Sequence, residues 1–130
     1  MRVPQVALIL ALFIATQSVV PQKKSSARIE KKNPITFVEL GSVNCIPCRQ
    51  MQPVMKAIEK KYGDQVRVVF YDVWKPEQKK YAEQYGIKLI PTQVFLDAAG
   101  KEFFRHEGFY PEAEIDKLLQ KQGLKIQAGS

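Results

Sequence analysis

The sequence predicts an α/β fold, a small mixed sheet covered by helices on both faces. Three observations carry this reading. The apolar run Ile35–Leu40 passes almost at once into a helical repeat of apolar residues. Strand and helix signals then follow in the order strand, helix, strand, helix, strand, strand, helix. Finally, the last two strands are joined by a short turn, Asp97-Ala98-Ala99-Gly100, which makes them a hairpin.

In the first strand Glu39 is the one charged interruption of a largely buried segment. Asn44 is placed to cap a helix starting at Cys45, because its side-chain oxygen can accept from a first-turn amide. Met51, Val54, Met55 and Ile58 follow at i, i+3, i+4 and i+7, one apolar stripe against the sheet. Pro53 interrupts that helix, and a kink is expected there. After the Tyr62-Gly63-Asp64 turn, Val66–Tyr71 reads as the second strand, parallel to the first because a helix crosses between them. A short helix is expected over Pro76–Tyr85, ended by Gly86. The hairpin takes Gln93–Leu96 and Lys101–Arg105. Pro111 opens a last helix with Ile115, Leu118 and Leu119 inward and Gly123 at its end.

With 130 residues, 45% of them hydrophobic, the chain suits one domain, placed at residues 33–123 with a tail at 124–130. Residues 1–20 read as a signal peptide or membrane anchor, since Arg2 precedes ten unbroken apolar residues, Val6–Ala15, too short a run to span ~30 Å of hydrocarbon comfortably. Residues 21–32 form a basic polar leader. The formal net charge of +7 is concentrated there: residues 1–32 hold six basic groups and one acidic, residues 33–130 fourteen and twelve. That distribution argues against a nucleic-acid partner.

Cys45 and Cys48 are the only cysteines, set as Cys-Ile-Pro-Cys at a helix start. There, free amides and the helix dipole favour an anion, so the Cys45 thiol can fall below its ordinary pKa of ~8.5 and become the nucleophile. Cys48, one turn later, is the natural resolving thiol, able to attack a mixed disulfide at Cys45 and close the Cys45–Cys48 ring. Two other readings compete. Tetrahedral zinc needs four ligands, and the chain offers two cysteines and one histidine, His106. A structural staple closing so small a loop contributes little entropic stabilisation. No metal and no bound cofactor are therefore expected, the disulfide being the redox group itself. The absence of a histidine between the cysteines leans toward a moderate or reducing potential.

The segment resembles the thioredoxin family from Ile35 to Gly123, on Cys45-Ile-Pro-Cys48, Pro53, the stretch Tyr85-Gly86-Ile87-Lys88-Leu89-Ile90-Pro91-Thr92, and Gly100. The resemblance implies a thioredoxin-like fold, an exposed nucleophile at Cys45 and a resolving thiol at Cys48. It also implies a cis proline at Pro91, with the Ile90 backbone pairing with an extended substrate strand and Gly108 leaving room for it. A trans proline that merely stops the preceding segment is the alternative. Glu39 stands where thioredoxins often bury an aspartate that relays a proton to the resolving cysteine; a carboxyl in an apolar strand should have a raised pKa, unless Glu39 faces solvent. Gly41-Ser42-Val43-Asn44 departs from the tryptophan-rich approach of cytosolic thioredoxins, and the segment before Asn33 suggests a trimmed core or an irregular arm.

His106 reads as a hairpin-end histidine without catalytic duty, and Trp74 as packed under its connection. The function expected is an exported thiol-disulfide oxidoreductase, reducing protein disulfides in the periplasm or on the extracytoplasmic face of a bacterial membrane. Its partners would be protein disulfide or dithiol substrates and a membrane or soluble dithiol donor, the protein acting as a monomer. The alternatives are a thiol oxidase donating its disulfide, or a non-catalytic peptide-binding module of the same fold.

Overall fold

The structure is a computed structural model and describes residues 34–129. The signal or anchor segment and the basic leader, with the arm expected before Asn33, lie outside the described residues. Among the described residues, no helix is long and apolar enough to cross a membrane.

Among the described residues, four strands form one sheet in the order β2-β1-β3-β4. Strand β1 (Ile35–Gly41) lies parallel to β2 (Val66–Asp72), as the intervening helix requires, and antiparallel to β3 (Thr92–Leu96). Strand β4 (Glu102–Glu107) completes the hairpin on β3. Side chains alternate across β1 and so separate two cores. Phe37 joins Phe95, Met51, Val54, Met55, Ile58, Ile115 and Leu119 beneath α1 (Ile46–Tyr62) and α3 (Glu112–Lys121). Val38 and Leu40 join Val94 and Val73 on the other face, beneath α2 (Lys80–Gln84). Helices thus cover both faces.

The apolar stripe of α1 is buried throughout, and the helix is one continuous element through Pro53, whose ring is exposed. Its C-terminal end is tied to α3: Lys61 Nζ lies 2.5 Å from both Asp116 Oδ2 and Glu112 Oε1, and the Tyr62 hydroxyl donates to Asp116 Oδ1 at 3.0 Å. The helix expected over Pro76–Tyr85 is shorter than the sequence suggests. Its first half is a series of turns, with the Gln78 and Tyr81 amides bonding carbonyls three residues back, and only Lys80–Gln84 is α-helical. Gly86 at φ +58° ends it. Tyr71, Tyr81 and Tyr85 cluster on this face, the first two stacked at 3.6 Å between ring centroids. Beyond α3 the chain stays docked. The Gln65 side chain donates to the Lys125 carbonyl and accepts from the Lys125 amide, and Leu124 packs on the core.

Candidate redox site

Cys45 and Cys48 are joined as a disulfide, with Cα atoms 5.2 Å apart. The helix begins one residue later than the sequence suggests. Cys45 is itself the N-cap, in extended conformation, and its Sγ accepts from the Cys48 amide at 3.4 Å. Asn44 does not cap: it is exposed, and its own amide donates to Ser42 Oγ. The capping atom is therefore the sulfur, which sets it directly against the free amides of the first turn. Pro47, inside that turn, has no amide to leave unpaired. The two sulfurs differ in access: Cys45 retains 8% of its surface, whereas Cys48 has none.

Gly41, at the end of β1, lies behind Cys48. A Cβ there would stand 3.1 Å from Cys48 Cβ and 3.2 Å from its Sγ, so only glycine lets the strand approach the disulfide this closely. Asp72, buried at the end of β2, fixes the loop between Gly41 and Cys45. Its carboxylate accepts from the Val43 amide at 3.3 Å and the Trp74 amide at 3.2 Å, while the Val73 amide donates to the Gly41 carbonyl. The loop before the cysteines and the connection after β2 are thus held as one unit. Neither Gly41 nor Asp72 stands out in the sequence as a site residue, although a glycine closing a buried strand just ahead of a cysteine pair is a readable signal.

The Ile90–Pro91 peptide is cis. Thr92 pairs with Leu40 and with Glu107, so continuing the register by one residue sets Pro91 beside Gly41 on one side and Gly108 on the other. The Gly108 amide accordingly donates to the Pro91 carbonyl at 2.8 Å, and Gly108 takes φ +88°. Ile90 is half-buried, packed with the Val38 and Leu40 core. Pro91 and Gly108 therefore share the Gly41 end of the sheet, with Ile90 next to Pro91 in the chain.

Glu39 is fully buried, as is Gln93, its register partner on β3. Two residues before Gly41, it shares the sheet face that meets Cys48, one pleat repeat or about 6.6 Å down the strand. Burial pushes its carboxyl up to about 8, and the Gln93 side chain offsets part of that rise. Neither carboxyl oxygen has a partner within hydrogen-bonding geometry among the described residues, so the effect of Gln93 is one of proximity rather than of a formed bond.

Trp74 is not packed under its connection but 60% exposed. Val43, Ile46, Leu89 and Phe109 are also exposed. These residues lie in or next to the segments that carry Cys45, Asp72, Pro91 and Gly108. The reason lies with Asp72, which holds the Trp74 backbone at the loop and leaves its ring outward. His106, too, has a partner: its Nδ1 is 3.0 Å from Gln93 Oε1, and its ring stacks on Tyr110 at 4.2 Å.

A sequence profile of the thioredoxin-like domain matches residues 20–123. The chain belongs to that family. Thioredoxin 1 of Synechococcus elongatus is 35% identical over 94 residues, spanning 72% of this chain and 83% of that protein. The thioredoxin of Bacillus subtilis is 26% identical over 104 residues, spanning 80% and 97%. Among solved structures, the thioredoxin NaTrxh of Nicotiana alata superposes with a TM-score of 0.59 at 32% identity, covering 68% of this chain and 73% of that one. Fold, family and disulfide together point to thiol-disulfide chemistry on disulfide-containing protein substrates, with the cysteine pair as the redox group.

Proposed function

We propose that this protein reduces protein disulfides by dithiol exchange through Cys45 and Cys48. The observation that carries the reading is the asymmetry of the pair: one sulfur at the helix N-cap with some surface, the other sealed behind it against Gly41. In the reduced protein the Cys45 thiolate attacks a substrate disulfide, forming a mixed disulfide and releasing one substrate sulfur, which takes up a proton. Cys48 then loses its thiol proton to the Glu39 carboxylate and attacks Cys45. The Cys45–Cys48 bond forms, the bond from Cys45 to substrate breaks, and the second substrate sulfur leaves as a thiolate that is protonated in turn. Two electrons pass from the cysteine pair to the substrate. Ile90, Pro91 and Gly108 would present backbone to an extended substrate segment, and the exposed apolar side chains Val43, Ile46, Trp74, Leu89 and Phe109 would cover it.

The apolar run Val6–Ala15 supports export, with the domain working in the periplasm or on the extracytoplasmic face of a bacterial membrane and a membrane or soluble dithiol protein restoring its thiols. The test is insulin reduction driven by a small dithiol. The parent protein is expected to turn over and Cys45→Ser to lose at least ~100-fold in rate; equal turnover in the two would refute the assignment. A reduction potential of about −270 mV fits a reductant, and one of about −120 mV contradicts it.

A further inference from the structure

The buried carboxyl is one member of a polar row. Glu39 pairs in register with Gln93, and Gln93 pairs in register with His106, so the three side chains stand side by side across β1, β3 and β4 on the face beneath α1. This row borders the aromatic one made by Phe37, Phe95 and Phe104. A carboxyl, an amide and an imidazole there would each be better replaced by apolar groups if packing were their only duty. Gln93 Oε1 can only accept, so the contact with His106 Nδ1 requires the imidazole hydrogen on Nδ1. That bond fixes which way the amide faces and leaves Nε2, buried and without a partner, for the Glu39 side.

We propose that Gln93 and His106 are positioning residues for Glu39. The His106 Nδ1–H···Oε1 bond locks the Gln93 amide so that its Nε2–H faces the carboxyl, and this favours the ionised carboxylate that receives the Cys48 proton. The inference rests on the dithiol-exchange reading for its purpose, but not for its physical content. Without the amide, burial alone would hold the carboxyl higher still than about 8 and leave a smaller share of it ionised to accept a proton near neutral pH. The other groups on this face are Phe70 from β2, Cys48 and Met51 from α1, and Ile115 and Leu119 from α3. Tyr110 closes over His106. None of these brings a charge to Glu39, which leaves the amide as its one polar neighbour in the row.

The experiment is a carboxyl-carbon NMR titration of Glu39 in the oxidised protein, assigned by its loss in Glu39→Gln. It compares the parent with Gln93→Leu, His106→Phe and His106→Asn. Phenylalanine keeps the stack on Tyr110 and removes the donor; asparagine places an amide donor near the Nδ1 position and removes the stack. Gln93→Leu is expected to raise the Glu39 midpoint by about one pH unit, and His106→Phe to raise it by a smaller step. His106→Asn should stay near the parent. An unchanged midpoint in Gln93→Leu and His106→Phe overturns the proposal, as does His106→Asn shifting more than His106→Phe, which would make His106 a packing residue. Should Gln93→Leu fail to fold, the two His106 variants decide. Because the titration uses no substrate, a protein without reductase turnover still answers it. Where turnover is present, the pH at which insulin reduction rises should move up with the midpoint, and a turnover profile that stays fixed while the midpoint moves counts against the role in exchange.

Discussion

Burying a carboxyl with no formed hydrogen bond, as at Glu39, makes folding itself depend on pH. The unfolded side chain loses its proton near 4.5 and the folded one at about 8. Between those values the native state holds a proton that the unfolded chain has released. Stability therefore falls as pH rises through that window and levels off once both states are ionised. The loss is on the order of 5 kcal/mol. Glu39→Gln, which cannot ionise, should remove most of this decline; urea unfolding at pH 5 and pH 8 checks it, and a decline as steep as the parent's would place the pH dependence elsewhere. Packing alone gives such a buried carboxyl no advantage, and the proton transfer proposed above would give it a use.

At the scale of elements, the site depends on one connection that the sequence does not reveal. Asp72 ends β2, and by bonding the Val43 and Trp74 amides it joins the loop before α1 to the segment leading to α2. Asp72→Ala leaves both amides without that acceptor and is expected to destabilise the protein by about 2 kcal/mol. It should also speed hydrogen exchange at Val43 and Trp74 more than in the centre of the sheet, and uniform exchange across the protein would argue against a local tie. Such a tie escapes sequence reading because its partners lie 29 residues apart and meet only through the parallel pairing of β1 and β2. The apolar stripe of α1 was legible because helical periodicity is local. The cap was not: Asn44 and Cys45 are both plausible acceptors, and only the backbone shows that the sulfur takes the place. Helix α2 was overdrawn because Pro76 is a good helix opener, yet the chain makes three-residue turns first.

For the whole molecule, the order of elements along the chain, the parallel β1–β2 pair and the hairpin were legible in the sequence, whereas the place of β1 between β2 and β3 was not, because it rests on a pairing between strands far apart in the chain. The polar row was half legible. Glu39 drew attention as a charge in an apolar run, whereas Gln93 and His106 looked ordinary until the register set them beside it. What remains is a division of labour across one end of the sheet. The N-cap presents a sulfur, Gly41 admits the second sulfur to the sheet, and the β3–β4 end sets Pro91 and Gly108 alongside. In the exchange proposed above, the Cys45 sulfur is the atom that joins to substrate. That assignment is tested most directly by mixing reduced Cys48→Ser protein with a disulfide-bonded protein and mapping the covalent product by mass spectrometry. A mixed disulfide that accumulates on Cys45 is the expected result; a folded Cys48→Ser protein that captures no substrate sulfur would exclude Cys45 as the attacking group.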